Sequence, residues 1–226
     1  MVNIVSRIDD AVKVANVLAS VSDKTGLDKF VPSLLGINPH LRVYSTGGTY
    51  LALQQILGEK RASDHLFAVS DYTGQPEMQG GLVKTLDFKI YMSILSETYN
   101  EAHVSDMRRV GAVPFDMVVV NLYPFRATVA EKDVSPERAR ANIDIGGPCM
   151  VRAAAKNFIR VAVVTDPADY SRIIAELRAN GGKLSLATRF ELARKAFAHT
   201  AEYDAAITAY LNGITLDDVR NSYTVS

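Results

Sequence analysis

The stretch "FDMVVVNLY" at residues 115–123 does most to restrict how this chain can fold. Its apolar residues run on without alternating with polar ones, so a strand built from it has to be covered on both faces. "VANVLASV" (14–21), "LRVYS" (41–45) and "RVAVVT" (160–165) are short apolar runs of related character. Amphipathic stretches lie between them. "LDKFVPSLL" reads as a helix interrupted at Pro32, and "YLALQQIL" reads as another. In "DPADYSRIIAELRAN", Asp166 suits an N-cap and Pro167 the first helical position. Residues 185–211 carry Leu186, Phe190, Ala193, Phe197, Ala201, Ile207 and Leu211 at helical spacing without Pro or Gly, which predicts one long helix. Strand–loop–helix repetition predicts an α/β fold of three layers, a mostly parallel sheet with helices on both faces. No repeat, low-complexity tract or linker divides the chain, so one domain over residues 1–226 is expected.

Composition limits the function classes. Lys plus Arg and Asp plus Glu are equal at 25 each, so the formal net charge is zero. General attraction to nucleic acid or anionic lipid is therefore not expected, and any anion site has to be local. The lone Cys149 excludes an internal disulfide and suits a reducing compartment. No apolar run approaches the roughly 18–20 residues that span a bilayer. Asp9, Asp10 and Lys13 interrupt the segment where a signal peptide needs an unbroken apolar core. A soluble, cytoplasmic protein is expected, with neither nucleic acid nor membrane as partner.

In open parallel sheets, ligands bind outside the carboxyl ends of the strands. Several polar turns fall at such ends here. "SVSDKTG" places Ser22, Asp23, Lys24 and Thr25 where a strand hands over to a helix; this suits a phosphate or, equally, an ordinary cap beside a solvated lysine. In "STGGT", Gly47 and Gly48 allow close backbone approach while Thr46 and Thr49 add hydroxyls. "DYTGQPEMQGGLVKTL" (71–86) reads as a tightly specified loop ahead of Lys84 and Thr85. Asn121 and Tyr123 end the most apolar strand; Asn121 suits either an amide or purine edge or a strand-end cap. In "ANIDIGGPCMVRAAAKNF", Asp144 precedes a Gly-Gly-Pro turn at the positive end of a helix, which favours its ionised form or a capping role. Arg152 and Lys156, four residues apart, share a face of that helix. Cys149 has no histidine in its motif and is expected to be a small buried thiol.

Taken in order, "SVSDKTG", "STGGT", "DYTGQPEM…VKTL", "VVVNLYPF", "IDIGGP…RAAAKN" and "KAFAHTAEYD" resemble the IMP cyclohydrolase family, the N-terminal domain of bifunctional PurH enzymes of purine biosynthesis. The resemblance covers about residues 18–212; the segment before it and the tail "GITLDDVRNSYTVS" are not matched, and the formyltransferase domain that normally follows is absent. It implies a methylglyoxal-synthase-like fold and dehydrative ring closure of 5-formamidoimidazole-4-carboxamide ribonucleotide to IMP. It further implies no cofactor or metal, a homodimer, and a separate formyltransferase polypeptide as partner. By the same resemblance, Ser22, Asp23, Lys24, Thr25, Thr46, Gly47, Gly48, Thr49, Thr85, Val120, Asn121, Ile145 and Gly146 line the ribonucleotide site. Lys84, Tyr123, Asp144 and Lys156 form the catalytic set, with Lys156 as proton donor and acceptor. Where the family reads Arg-Val-Lys-Thr-Leu-His-Pro, this chain has Leu82, Val83, Lys84, Thr85, Leu86, Asp87 and Phe88, and Tyr91-Met92 replaces a typical His-Gly. Leu82 cannot donate to an anion, so Arg42, Arg126 and Arg152 are the candidates for the missing cation. A non-catalytic nucleotide-binding module of the same fold is the alternative function, and a phosphate-eliminating lyase a more distant one.

Overall fold

A computed structural model describes residues 4–75 and 85–225. Strand β1 (Ala11–Lys13) pairs antiparallel with β7 (Lys183–Ser185) as a separate ribbon. The main sheet consists of β2 (Asn16–Val21), β3 (Arg42–Ser45), β4 (Leu66–Ala68), β5 (Met117–Asn121) and β6 (Ala162–Val164). Its order is β4-β3-β2-β5-β6, and every neighbouring pair is parallel. The continuous apolar run of β5 is covered on both faces, with Met117, Val118, Val119 and Val120 each 0–2% exposed.

Helices α1 (Leu27–Ile37), α2 (Gly47–His65) and α3 (Val69–Thr73) belong to the first half of the chain. The next are α4 (Phe88–Leu95), α5 (Glu101–Arg109), α6 (Phe125–Val129), α7 (Pro136–Ala141) and α8 (Gly146–Lys156). The last three are α9 (Tyr170–Ala179), α10 (Leu186–Gly213) and α11 (Leu216–Arg220). They pack in two groups: α1 against α2 and α9, and α8 against α4 and α10. These groups form the outer layers of the expected three-layer α/β architecture. No helix among the described residues is long and apolar enough to cross a membrane.

The local readings hold with instructive exceptions. Pro32 does not interrupt α1. Its ring removes one N–H, but the carbonyl that loses a partner, four residues earlier, belongs to exposed Asp28. The buried stripe of Leu27, Phe30, Val31, Leu34 and Leu35 outweighs that loss. Gly58, at φ 71°, puts a kink inside α2. Asp166 caps as expected, accepting from the Ala168 N–H at 2.8 Å, and Pro167 opens a 3-10 turn that leads into α9. The long helix α10 exists, but its buried face is Thr188, Arg189, Leu192, Ala193, Ala196, Thr200 and Tyr203, while Phe190, Phe197 and Leu211 lie outside. Arg189 accounts for the polar character of that face, donating to the carbonyls of Asp9, Asp10, Phe158, Ile159 and Leu184. Residues 71–73, read as loop, form the end of α3.

A polar anchor closes the edge of the sheet where the strands begin. Buried Arg160 donates to the carbonyls of Ser93, Ile94, Ser96 and Phe115 and lies 3.5 Å from Asp116. Asp116 in turn accepts the N–H groups of Ala15 and Asn16, both at 2.9 Å. The opposite edge, where all five strands end, is left to the polar turns.

Candidate active site

Because the sheet is parallel, the turns after β2, β3, β5 and β6 emerge side by side. The chain builds outward from β2 through β3 to β4, then crosses back to add β5 and β6. The topological switch point therefore lies between β2 and β5, where open α/β sheets bind ligands.

Hydrogen bonds join the turns into one surface. Ser20 Oγ and Thr46 Oγ1 are 3.1 Å apart. Thr49 Oγ1 accepts the Val21 N–H and donates to the Val21 carbonyl, both at 3.0 Å. Asp23 accepts from the Thr25 N–H at 2.9 Å and from its hydroxyl at 2.6 Å, forming a closed turn. The Lys24 ammonium lies 3.4–3.5 Å from the carbonyls of Ser22 and Val21 and leans toward Gly48, where an added Cβ would sit 4.0 Å from Nζ. Thr46 makes no side-chain cap to α2, so the first N–H groups of that helix, at Gly47 and Gly48, are left for an external acceptor. A cation beside open helical N–H groups is an anion site in chemical terms.

Across the switch point, Asn121 Oδ1 accepts the N–H groups of Ser22 (2.7 Å) and Asp23 (2.9 Å), and its amide donates to the Asp23 carbonyl at 2.8 Å. Asn121 thus clamps the β2 turn, and its second amide hydrogen has no partner among the described residues. Val120 is 1% exposed, so only its main chain faces the edge. Tyr123 and Ile145 are 52% and 60% exposed.

Asp144 Oδ1 accepts the Gly147 N–H at 2.8 Å, which caps α8. Gly147 is required there, because a Cβ would strike Asp144 Oδ2 and come within 2.8 Å of Leu122 Cδ2. Gly146 lies against Thr85, whose Oγ1 would be 2.6 Å from an added Cβ. Burial holds the Asp144 carboxyl above its ordinary range, against the pull of the Gly147 and Tyr123 N–H groups. The helix end alone pointed to an ionised Asp144; loss of water around the group outweighs it.

Of the expected catalytic set, one member is not described and one stands apart. Lys84, with Leu82, lies outside the described residues. Lys156 occupies the last turn of α8. At about 1.5 Å per residue it is roughly 15 Å along the axis from Gly146, because Asp144 and Lys156 bracket the helix. It lines a cavity of about 760 Å³ with Phe88, Tyr91, Met92, Glu97 and His103. Cys149 is partly exposed rather than buried, facing Tyr91, and burial pushes the Tyr91 hydroxyl up. A second cavity, of about 700 Å³, lies at the strand ends and takes in Ser22, Asp23, Asn121, Thr165, Asp166, Lys195, His199 and Glu202.

Of the cations considered for the role of Leu82, Arg42 opens β3 at the far edge and lies over the Phe67 ring. Arg152 lies over Phe197. Arg126, on α6 just past the end of β5, is at the ligand edge and donates to the Glu202 carbonyl at 3.3 Å. Asp87, at a departure from the family pattern, is 3% exposed and caps α4 by accepting the Lys89 N–H at 2.8 Å. Lys195, His199 and Tyr203 were visible only as a recognisable block without a role. Lys195 bridges Asp166 and Asp169 at 2.6 and 2.7 Å, and buried His199 Nε2 has no partner among the described residues.

Comparison with known proteins gives the family. The MGS-like domain family matches residues 29–149, and the AICARFT/IMPCHase bienzyme family matches residues 154–225, so the likeness runs through the tail that the sequence reading left unmatched. The bifunctional purine biosynthesis protein PurH of Neisseria meningitidis serogroup A / serotype 4A is 50% identical over 204 residues, which is 89% of this chain and 36% of that protein. PurH of Magnetococcus marinus is 47% identical over 203 residues, again 89% and 36%. The chain thus spans little more than a third of the length of these relatives. The crystal structure of ForH superposes with a TM-score of 0.72 at 32% identity, covering 86% of this chain and 97% of that one. The chain belongs to the MGS-like domain family and corresponds to the N-terminal domain of PurH.

Proposed function

We propose that this chain acts in purine biosynthesis as an IMP cyclohydrolase, closing the pyrimidine ring of 5-formamidoimidazole-4-carboxamide ribonucleotide. The observation that carries the reading is the hydrogen-bonded joining of the Ser22–Thr25 turn, the Thr46–Thr49 turn and Asn121 at the switch point, with the Asp144 carboxyl on the Tyr123 N–H two residues past Asn121. About 50% identity to PurH over 204 residues supports the same reading. The phosphate sits against Lys24 and the opening N–H groups of α2. The carboxamide nitrogen attacks the formyl carbon and loses its proton; the formyl oxygen gains charge, takes up protons and leaves as water. Asp144 orients the carboxamide, and Tyr123 donates to the oxygen as charge grows. By its match to the family's motif, Lys84 shares that stabilising role. Arg126 supplies the cation that Leu82 lacks. Lys156 handles the formyl-oxygen proton only with a substrate laid along α8 toward α4.

The test is spectrophotometric: the purified chain is mixed with the formylated ribonucleotide and purine formation is followed. Saturable acceleration is expected. Binding of IMP without acceleration would instead assign a nucleotide-binding module, and phosphate release from dihydroxyacetone phosphate a lyase. We expect a formyltransferase to supply the formylated substrate, and the homodimer implied by the family is read by sedimentation of the same sample.

A further inference from the structure

The block "KAFAHTAEYD" on α10 carries side chains that no step of this chemistry uses. One of them, Tyr203, reaches the segment that delivers Asp144. We propose that Tyr203 is a positioning residue for Asp144, acting through the main chain ahead of α8. Its effect on turnover rests on the cyclohydrolase reading, whereas its effect on geometry does not.

Tyr203 Oη accepts the Asp144 N–H at 2.8 Å and donates to the Asn142 carbonyl at 3.4 Å. A single hydroxyl thereby ties both sides of Ile143. The backbone bonds before this point, Asn142 N–H to Ala139 O and Ile143 N–H to Arg140 O, only finish α7 and do not extend to Asp144. The phenol itself is fixed: Tyr203 is 8% exposed, and Phe125 meets its ring edge-on with centroids 6.2 Å apart. On the other side, the Gly147 N–H holds Asp144 Oδ1. Asp144 is therefore held at its main chain by a hydroxyl carried by α10 and at its carboxyl by an N–H carried by α8, two helices that pack against each other, with the Tyr123 N–H as a further donor to the carboxyl. Removing the hydroxyl frees the Asp144 N–H and leaves the main chain here held only through the carboxyl, by the Gly147 and Tyr123 N–H groups.

A merely structural tyrosine would act through its ring, so two variants separate the cases. Tyr203→Phe keeps the ring and deletes the hydroxyl; Phe125→Leu loosens the ring and keeps the hydroxyl. The carboxyl of Asp144 is followed by NMR of protein carrying carboxyl-labelled aspartate, with its signal assigned by Asp144→Asn, alongside steady-state kinetics and thermal melting. In Tyr203→Phe, the Asp144 titration is expected to move down toward the ordinary carboxylate range, because a loosened segment admits water. Its kcat is expected to fall roughly tenfold at unchanged KM. Phe125→Leu is expected to melt earlier without moving the Asp144 titration. If Asp144 titrates in Tyr203→Phe as in the parent chain, the proposal is overturned whatever happens to turnover. If the parent chain does not turn over the ribonucleotide yet Tyr203→Phe still moves the titration, the cyclohydrolase reading fails and the positioning role stands.

Discussion

Replacing Gly147 by alanine tests whether the Asp144 carboxylate is held where ring closure needs it. The added methyl would fall inside contact distance of Asp144 Oδ2 and 2.8 Å from Leu122 Cδ2. Backbone strain is not the obstacle, since Gly147 lies in the first turn of α8 and is not among the glycines with positive φ. In a helix, alanine is favoured over glycine by about 1 kcal/mol. Overpacking typically costs about 1–3 kcal/mol, so the two effects leave a net destabilisation of roughly 0–2 kcal/mol. For a chain of this length each kcal/mol lowers Tm by about 2–4 °C. Turnover is expected to suffer far more. Leu122 is 7% exposed and packed from behind, so the carboxylate is what moves. Relief of the contact requires a shift of roughly 1 Å, and misplacement on that scale costs on the order of 10²-fold in rate. The assay is kcat for purine formation beside a thermal melt, with Gly36→Ala as control. Gly36 is an exposed residue of α1 with nothing within 4 Å of an added Cβ, so that variant should gain about 0.5–1 kcal/mol and keep its turnover. Parent-level kcat in a folded Gly147→Ala would refute the claim that this carboxylate has to stay where the glycine lets it sit.

Lys156→Ala separates two placements of the substrate: a kcat loss on the order of 10²-fold or more puts the reacting end along the α4–α8 side, while near-parent turnover removes the proton-transfer role from Lys156. Asp144→Asn is expected to lower turnover on the order of 10²-fold. Because burial raises the Asp144 pKa above 3.8, the stability this carboxyl contributes is complete below that ordinary value and is lost as pH rises through the raised one. Asp144→Asn should therefore melt later than the parent at neutral pH and show no advantage at pH values below the carboxylate range. Arg160→Met removes donors from four buried carbonyls and leaves Asp116 unpaired, so urea unfolding should show a loss of about 3–5 kcal/mol. A loss below about 1 kcal/mol would show that the anchor is ornamental to stability.

Patterns confined to a few neighbouring residues were sufficient for much of this protein. The unbroken apolar run Met117–Val120 forced a strand with cover on both faces, and the alternation of such runs with amphipathic stretches required a parallel sheet. The same rule put Ser22–Thr25, Thr46–Thr49 and Asn121 at strand ends. The short helices α3 to α7 and α11, the edge strand β4 and the β1–β7 ribbon were missed because segments of that length carry too little periodic signal. The separation of Asp144 from Lys156 was present in the sequence, since a helix between them imposes a length; the family pattern alone conceals it.

The sequence by itself determined the strands β2, β3, β5 and β6, the longer helices and which turns are polar, because side-chain period and turn chemistry are local properties. Only the tertiary structure decided which atoms those turns spend on one another. Asn121 meets Ser22 across 99 residues of chain, and the Asp144 N–H meets Tyr203 across 59. Burial of Asp144 likewise depends on neighbours distant in sequence, and it reverses the direction expected from the helix end alone. Contacts of that span are set by how layers pack, so the position of the Asp144 carboxyl and the direction of its pKa belong to the folded molecule.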